Sequence, residues 1–220
     1  MNKKIKNFGF LLFPDLEELD LTGPWEIFSV WREQTGEPEN CLTVSENGIV
    51  IKCKKGLRLV ADTDFENCPP LDALLIPGGD GRKTEVKNEK LLRFVKAQAE
   101  NAQTVLSVCS GAFILQAAGL LDGLQATTHW SVAEQLRQTG VETIEERFVR
   151  NDSSKIWTSA GVSAGIDMAL AFVAAQAGEE VAGQVQLEAE YYPSQRIYGS
   201  ASIREQIPKY LKNGAATAAL

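Results

Sequence analysis

Histidine is almost missing from this chain: 220 residues carry one, His129. A histidine-rich metal site is therefore excluded. Cysteine is sparse as well. Cys41, Cys53, Cys68 and Cys109 show no paired short spacing, so neither a disulfide framework nor a zinc site is expected. No apolar run approaches the roughly 18 residues of a membrane-spanning helix. The segment FGFLLF after the basic N-terminus is too short for a signal core and runs at once into acidic residues. The chain is accordingly read as cytoplasmic, without a membrane partner. Positive charge is also in short supply. Lys and Arg number 22 against 29 Asp and Glu, a net charge of −7, which argues against a phosphate-binding surface and hence a nucleic-acid partner. No repeat and no linker composition interrupts the sequence.

What is present is the balance of an ordinary globular protein, 44% hydrophobic and 23% charged, long enough to bury a substantial core. KNFGFLLF (6–13) reads as a buried first strand. The following DLTGPWEIFSVWRE reads as a helix, with Pro24 in its first turn and Trp25, Phe28 and Trp31 at helical spacing. CLTV (41–44), GIVIKC (48–53) and LRLVAD (57–62) are short strands separated by Asn-Gly and Lys-Gly turns. LDALLIPGGDG (71–81) is a strand stopped by Pro77, Gly78 and Gly79; 88–102 is helical; TVLSVC is the next strand. Helices are expected over 110–121 and 129–140, a hairpin from ERFVRND and KIWTSA, a packed helix over 163–178 and a final one in VAGQVQLEAEYY. The tail KNGAATAAL is expected to fray. Alternating strands and helices predict one α/β domain over 1–220, with a mainly parallel sheet and an antiparallel hairpin insertion near 48–62.

Ligands of open α/β sheets collect beyond the carboxyl ends of the strands, and three such ends carry chemistry. Cys109 stands where TVLSV turns into SGAFIL. There a helix N-terminus would lower the thiol pKa and raise the reactive thiolate fraction, and Ser110, Gly111 and Ala112 permit a sharp turn. A buried, inert cysteine is the plain alternative, and it is the one adopted for Cys41, Cys53 and Cys68. Asp20, in LDLTGP, either caps the following helix or, beside the thiol in an apolar sheet top, donates and accepts protons with a raised pKa. Gly78 and Gly79 either make a tight turn or present N–H groups to developing negative charge. His129 in ATTHW either lines the same cleft or satisfies a buried polar contact, and a Cys–His pair is left open.

Two motifs are set aside. GGDGRKT lacks the Gly-Lys-Ser/Thr ending of a phosphate loop. GVSAG (161–165) fits the Gly-x-Ser-x-Gly serine-nucleophile pattern, but the one histidine precedes Ser163, whereas in that fold it follows. It is read as a small-residue wall.

Taken together, FGFLLFPDLEELDLTGPWEIF, PPLDALLIPGG, SVCSGAFILQAAGLLDG, ATTHW and GVSAGIDMAL resemble the ThiJ/PfpI superfamily, which shares the class I glutamine amidotransferase-like fold. The likeness runs in order from about residue 7 to residue 190. It implies a flavodoxin-like three-layer α/β sandwich, a homodimer, a nucleophile at Cys109 on a strained elbow and an acidic partner at Asp20. Within the superfamily the sequence is most similar to the branch that hydrates isonitriles to N-substituted formamides, which follows the cysteine with a hydroxyl residue, threonine there and Ser110 here. The implied chemistry is attack of Cys109 on the isonitrile carbon to give a thioimidate, with Asp20 moving protons, Ser110 orienting the reacting groups and Gly78, Gly79 and His129 around the pocket. No metal or organic cofactor is called for. The substrate is a small, apolar molecule in a pocket walled by aliphatic and glycine residues. The peptidase branch has histidine after the cysteine, which Ser110 replaces. The amidotransferase branch uses a late His-x-Glu, which nothing after His129 supplies. Regulators with this domain append a helix-turn-helix unit, and none is read by residue 220. Glyoxalase or deglycase chemistry on 2-oxoaldehydes, and a cysteine-based redox sensor in which Asp20 stabilises the oxidised sulfur, are the rival functions.

Overall fold

The computed structural model describes residues 3–193, 198 and 200–212. The expected frayed tail falls almost entirely outside them. In chain order the elements are β1 (Asn7–Leu12), α1 (Glu18–Thr35), β2 (Asn40–Ser45), β3 (Val50–Lys52), β4 (Arg58–Val60), β5 (Thr63–Asp64), β6 (Ala73–Ile76), α2 (Arg82–Glu85) and α3 (Glu89–Asn101). There follow β7 (Thr104–Val108), α4 (Ala112–Ala117), β8 (Gln125–Ala126), α5 (Ala133–Arg137), β9 (Glu142–Thr143), β10 (Phe148–Asn151), β11 (Ile156–Ser159), α6 (Ala164–Ala177), α7 (Glu179–Glu188), α8 (Ala201–Glu205) and α9 (Lys209–Lys212).

Seven strands form one sheet in the order β10-β11-β7-β6-β1-β2-β5, parallel throughout except for the β10–β11 hairpin. Helices flank it, so the expected α/β class holds. β1, β6 and β7 are buried on both faces, which is why they read as near-continuous apolar runs rather than alternating ones. Phe8 and Phe10 project from one face of β1 and meet Phe28 of α1, with Phe8 and Phe28 ring centroids 4.3 Å apart. Phe172 of α6 closes the cluster edge-on to Phe28 at 5.7 Å. On α3, Asn88 caps the N-terminus by accepting from the Lys90 and Leu91 N–H groups, while Leu91, Phe94 and Val95 are buried.

The predicted insertion is present as the β3–β4 antiparallel pair, separate from the main sheet. It is tied to the loop after β1 by Asp15 N–H to Lys52 O at 3.0 Å and Lys54 N–H to Leu16 O at 2.9 Å.

Several elements differ from expectation. α1 begins at Glu18, before Asp20, and Pro24 lies almost two turns inside it rather than in the first turn. Pro24 has no N–H to give the Asp20 carbonyl four residues back, and the long buried face outweighs that local loss. The helix expected over 110–121 is a 3-10 turn over Cys109–Gly111 followed by the short α4. That expected over 129–140 shrinks to a 3-10 turn at Trp130–Val132 and α5. The small parallel β8–β9 pair and α8 and α9 were not anticipated, being too short to carry a period.

Candidate active site

The chain runs from β1 to β2 on one side and then crosses back to lay β6 on the other side of β1. Such a reversal opens a crevice at the strands' carboxyl ends. Because β1, β6 and β7 are neighbours, the three ends singled out in the sequence meet there: Asp20 in the first turn of α1, Gly78 and Gly79 after β6, and Cys109 after β7.

Cys109 adopts φ of +57°, the left-handed region that a side-chain-bearing residue seldom occupies. The elbow is held from both sides. The Cys109 N–H donates to Ala160 O of the β11 end at 3.1 Å, and Thr128 Oγ1 donates to Cys109 O at 2.8 Å. Gly111 makes the turn possible, since a Cβ there would lie 2.3 Å from Ile76 O. The thiol lines the crevice, where the nearby backbone N–H groups of Ser110 and Val162 favour its charged form.

Asp20 is fully buried and does not cap its helix; Glu17 occupies that position. Its Oδ2 accepts the Gly78 N–H at 2.9 Å. Oδ1 has no partner of ordinary hydrogen-bond geometry, while the carboxyl lies close enough to the Cys109 thiol to interact with it. The contact is thus looser than a formed hydrogen bond, as catalytic contacts often are before substrate arrives. Gly78 creates the meeting point. A Cβ there would lie 2.5 Å from Ser110 N, 2.6 Å from Ser110 Oγ and 2.9 Å from Asp20 Oδ2.

Burial raises the Asp20 pKa from 3.8 to about 7, partly opposed by the Gly78 hydrogen bond. The Cys109 thiol moves the opposite way from the sequence expectation. Burial, and then the Asp20 charge, push it up to about 12 against the two N–H groups that favour thiolate. No long helix follows the cysteine to supply a strong N-terminal field: a 3-10 turn and the six-residue α4 stand there. Between about 7 and about 12 the pair therefore holds one proton, which it can place on sulfur or oxygen.

The two glycine N–H groups are already engaged. Gly78 donates to Asp20, and Gly79 donates to Ser110 Oγ at 3.1 Å, so neither is free for a developing oxyanion as the sequence reading had it. Ser110 Oγ in turn contacts Gly79 O at 3.3 Å. His129 lines the cleft but pairs with Ser131, its Nδ1 accepting the Ser131 N–H at 3.2 Å. Burial and Lys54 hold its pKa below the usual value, which favours neutral imidazole. The charge acting most strongly on the thiol is that of Asp20.

Val162, which the sequence reading passed over, also lines the cleft, with φ of +44°. A β-branched residue in that region is a genuine outlier, and the GVSAG stretch carries no visible sign of it. Ser163 points elsewhere, accepting from Arg147 at 3.1 Å. Cys41, Cys53 and Cys68 are unpaired thiols that burial pushes up to about 11, in keeping with a structural role.

The cleft encloses about 270 Å³. Its wall is not the aliphatic one expected: Glu17, Lys54, Asp80, Arg82, Lys83 and Gln135 join Cys109, Ser110 and His129. Lys54 arrives on the β3–β4 insertion, and Arg82 and Lys83 on α2, elements whose position at the mouth no local pattern reveals.

A buried cysteine on a left-handed elbow, beside a carboxylic acid delivered from the end of β1, two places along the parallel sheet, defines a class of protein. The DJ-1/PfpI family pattern matches residues 6–175, and the chain belongs to that family. Isonitrile hydratase of Pseudomonas putida is 37% identical over 195 residues, 84% of this chain and 78% of that protein. A deglycase of Pyrococcus abyssi is 30% identical over 57% of this chain and 75% of its own length. The crystal structure of a ThiJ/PfpI family protein from Pseudomonas syringae superposes with a TM-score of 0.81 at 30% identity, covering 98% of this chain and 91% of that one. Among the described residues no helix is long and apolar enough to cross a membrane.

Proposed function

We propose that the protein hydrates isonitriles to N-substituted formamides at Cys109. The observation that carries this reading is the buried Asp20 carboxyl, held by the Gly78 N–H, beside the Cys109 thiol on its left-handed elbow. An isonitrile, R–N≡C, needs a nucleophile and a proton delivered to the same terminal carbon. As sulfur bonds to that carbon, the thiol proton passes to Asp20 and from Asp20 to the carbon, giving the thioimidate R–N=CH–S. Water then adds to the same carbon while its proton moves through Asp20 to nitrogen. Breaking the C–S bond releases R–NH–CHO and returns the proton to sulfur. The backbone N–H groups of Ser110 and Val162 stabilise the sulfur as it accumulates charge. Ser110 Oγ, held by Gly79, orients the entering water. The likeness to an isonitrile hydratase supports this reaction over others the same thiol could perform.

Addition of the thiol to a 2-oxoaldehyde is the second reading, favoured by the deglycase relative and by the polar cleft wall. The test is turnover of cyclohexyl isonitrile and of methylglyoxal by wild type and Cys109→Ala. Formamide production that vanishes in the variant is expected. Methylglyoxal turnover without isonitrile turnover overturns the hydratase reading. Oxidation of Cys109 by mild peroxide, with turnover of neither compound, assigns it to redox sensing instead.

A further inference from the structure

Arg82 is the unexplained group of the cleft. The residue is only 9% exposed, yet among the described residues no carboxylate pairs with it. Its guanidinium lies 3.9 Å from the centroid of the Phe113 ring, one turn beyond Cys109, and among the described residues its hydrogen bond is Nη2 to Gln135 Oε1 at 3.3 Å. Gln135 uses one of the guanidinium's five N–H donors, and Arg82 lines the same cleft as Cys109. Burying a cation without an opposite charge is costly, and a carboxylate entering the cleft would supply that charge.

The surroundings point the same way. Asp80 is shared between Lys54 at 2.9 Å and Lys83 at 2.8 Å, and Glu17 is paired with Lys55. The cleft lining thus carries three cations, Lys54, Arg82 and Lys83, against two carboxylates, Glu17 and Asp80, and Glu17 is already paired with Lys55. In a chain of net charge −7 this local excess of positive charge is against the overall trend. Asp80 acts on Arg82 only through its charge, its direct contacts being with the two ammonium groups of Lys54 and Lys83.

We infer that the Cys109 cleft takes substrates bearing a carboxylate, which Arg82 binds through its remaining N–H donors while the reacting carbon reaches the sulfur. Combined with the function proposed above, on which this part rests, the substrate class is the isocyano carboxylates. A planar carboxylate matches the fork of a guanidinium, and the charged hydrogen bonds have strength enough to discriminate it from a neutral analogue by about ten-fold or more.

Two measurements test this separately from the reaction. The first is the alkylation rate of Cys109 by iodoacetate relative to iodoacetamide, which needs no isonitrile chemistry. The iodoacetate-to-iodoacetamide ratio is expected to exceed that of a free small thiol by about ten-fold, to fall to the free-thiol value in Arg82→Gln, and to be largely kept in Arg82→Lys. Because the wild-type ratio alone is diagnostic, the inference stays testable even where a variant folds poorly. A wild-type ratio equal to that of a free thiol, or one unchanged in folded Arg82→Gln, overturns it. The second measurement compares kcat/KM for 4-isocyanobutanoate and its methyl ester. Preference for the acid, lost in Arg82→Gln through KM, is expected; equal use of both overturns the substrate class. Turnover of neither compound with a high alkylation ratio sinks the hydratase reading and leaves the carboxylate site standing.

Discussion

Replacing Asp20 by Asn should stabilise the protein at neutral pH while disabling it. Asp20 is fully buried, and its folded-state pKa is raised from 3.8 to about 7, mainly by burial. Below pH 4 the folded and unfolded chains both hold this proton, and the carboxyl contributes no pH dependence. As pH rises past 4 the unfolded chain releases the proton, while the folded chain keeps it until about 7. Stability is therefore lost steadily across that window, and the penalty is complete above it. At about 1.4 kcal/mol per pH unit the full effect is on the order of 4 kcal/mol, an upper bound because relaxation of the cleft reduces it. Asparagine keeps the acceptor for the Gly78 N–H and has no charge to bury. Urea unfolding of both proteins at pH 5, 6, 7 and 8 should show the variant gaining on wild type at each step up to about 7, by roughly 2–4 kcal/mol in total. Any constant offset from the amide's own contacts cancels in that trend. Parallel stabilities at every pH would falsify the raised pKa and, with it, the proton-sharing pair.

Other consequences follow from the same geometry. Cys109→Gly should be more stable than Cys109→Ala by about 1 kcal/mol in thermal unfolding, because glycine adopts φ of +57° without strain; the reverse order would show the elbow to be relaxed. Gly78→Ala drives a methyl against Ser110 and Asp20, so a destabilisation of about 1–3 kcal/mol and at least a ten-fold loss of kcat are expected, and a folded variant with full activity would contradict the packing. Arg147 ties β10 to α6 through Asp167, at 2.6 Å from Nε, and through Ser163. Arg147→Gln should cost about 1 kcal/mol and speed hydrogen exchange at 162–167, next to the N–H that faces the sulfur; unchanged exchange would refute this coupling.

The features legible in the sequence share one property: their signal is local and their burial is complete. β1, β6 and β7 are apolar on both faces, and each ends abruptly in residues of a different kind, so Asp20, Gly78–Gly79 and Cys109 could be placed at strand ends from composition alone. That those ends converge depends on strand order, which the spacing of elements constrains but does not state. The misplaced details are those set by tertiary forces. Pro24 marks a helix start by propensity, yet packing of α1 against the sheet and α6 extends the helix upstream of it. The thiol's pKa was read from a helix N-terminus, whereas burial and Asp20 govern it. Val162 shows no residue-type signal for a left-handed backbone, because valine is there in spite of its preference. The polar cleft wall comes from an insertion and a four-residue helix: Lys54 carries no local signal in the sequence, and Arg82 and Lys83 enter it only within GGDGRKT, set aside as a phosphate loop.

The most direct test of the central claim is intact-mass analysis of the protein acid-quenched during turnover of a simple isonitrile. Addition of sulfur across the terminal carbon expels no group, so the account predicts an adduct of the whole substrate mass, located on Cys109 by peptide mapping and absent from Cys109→Ala. Formamide release that continues in Cys109→Ala would contradict it.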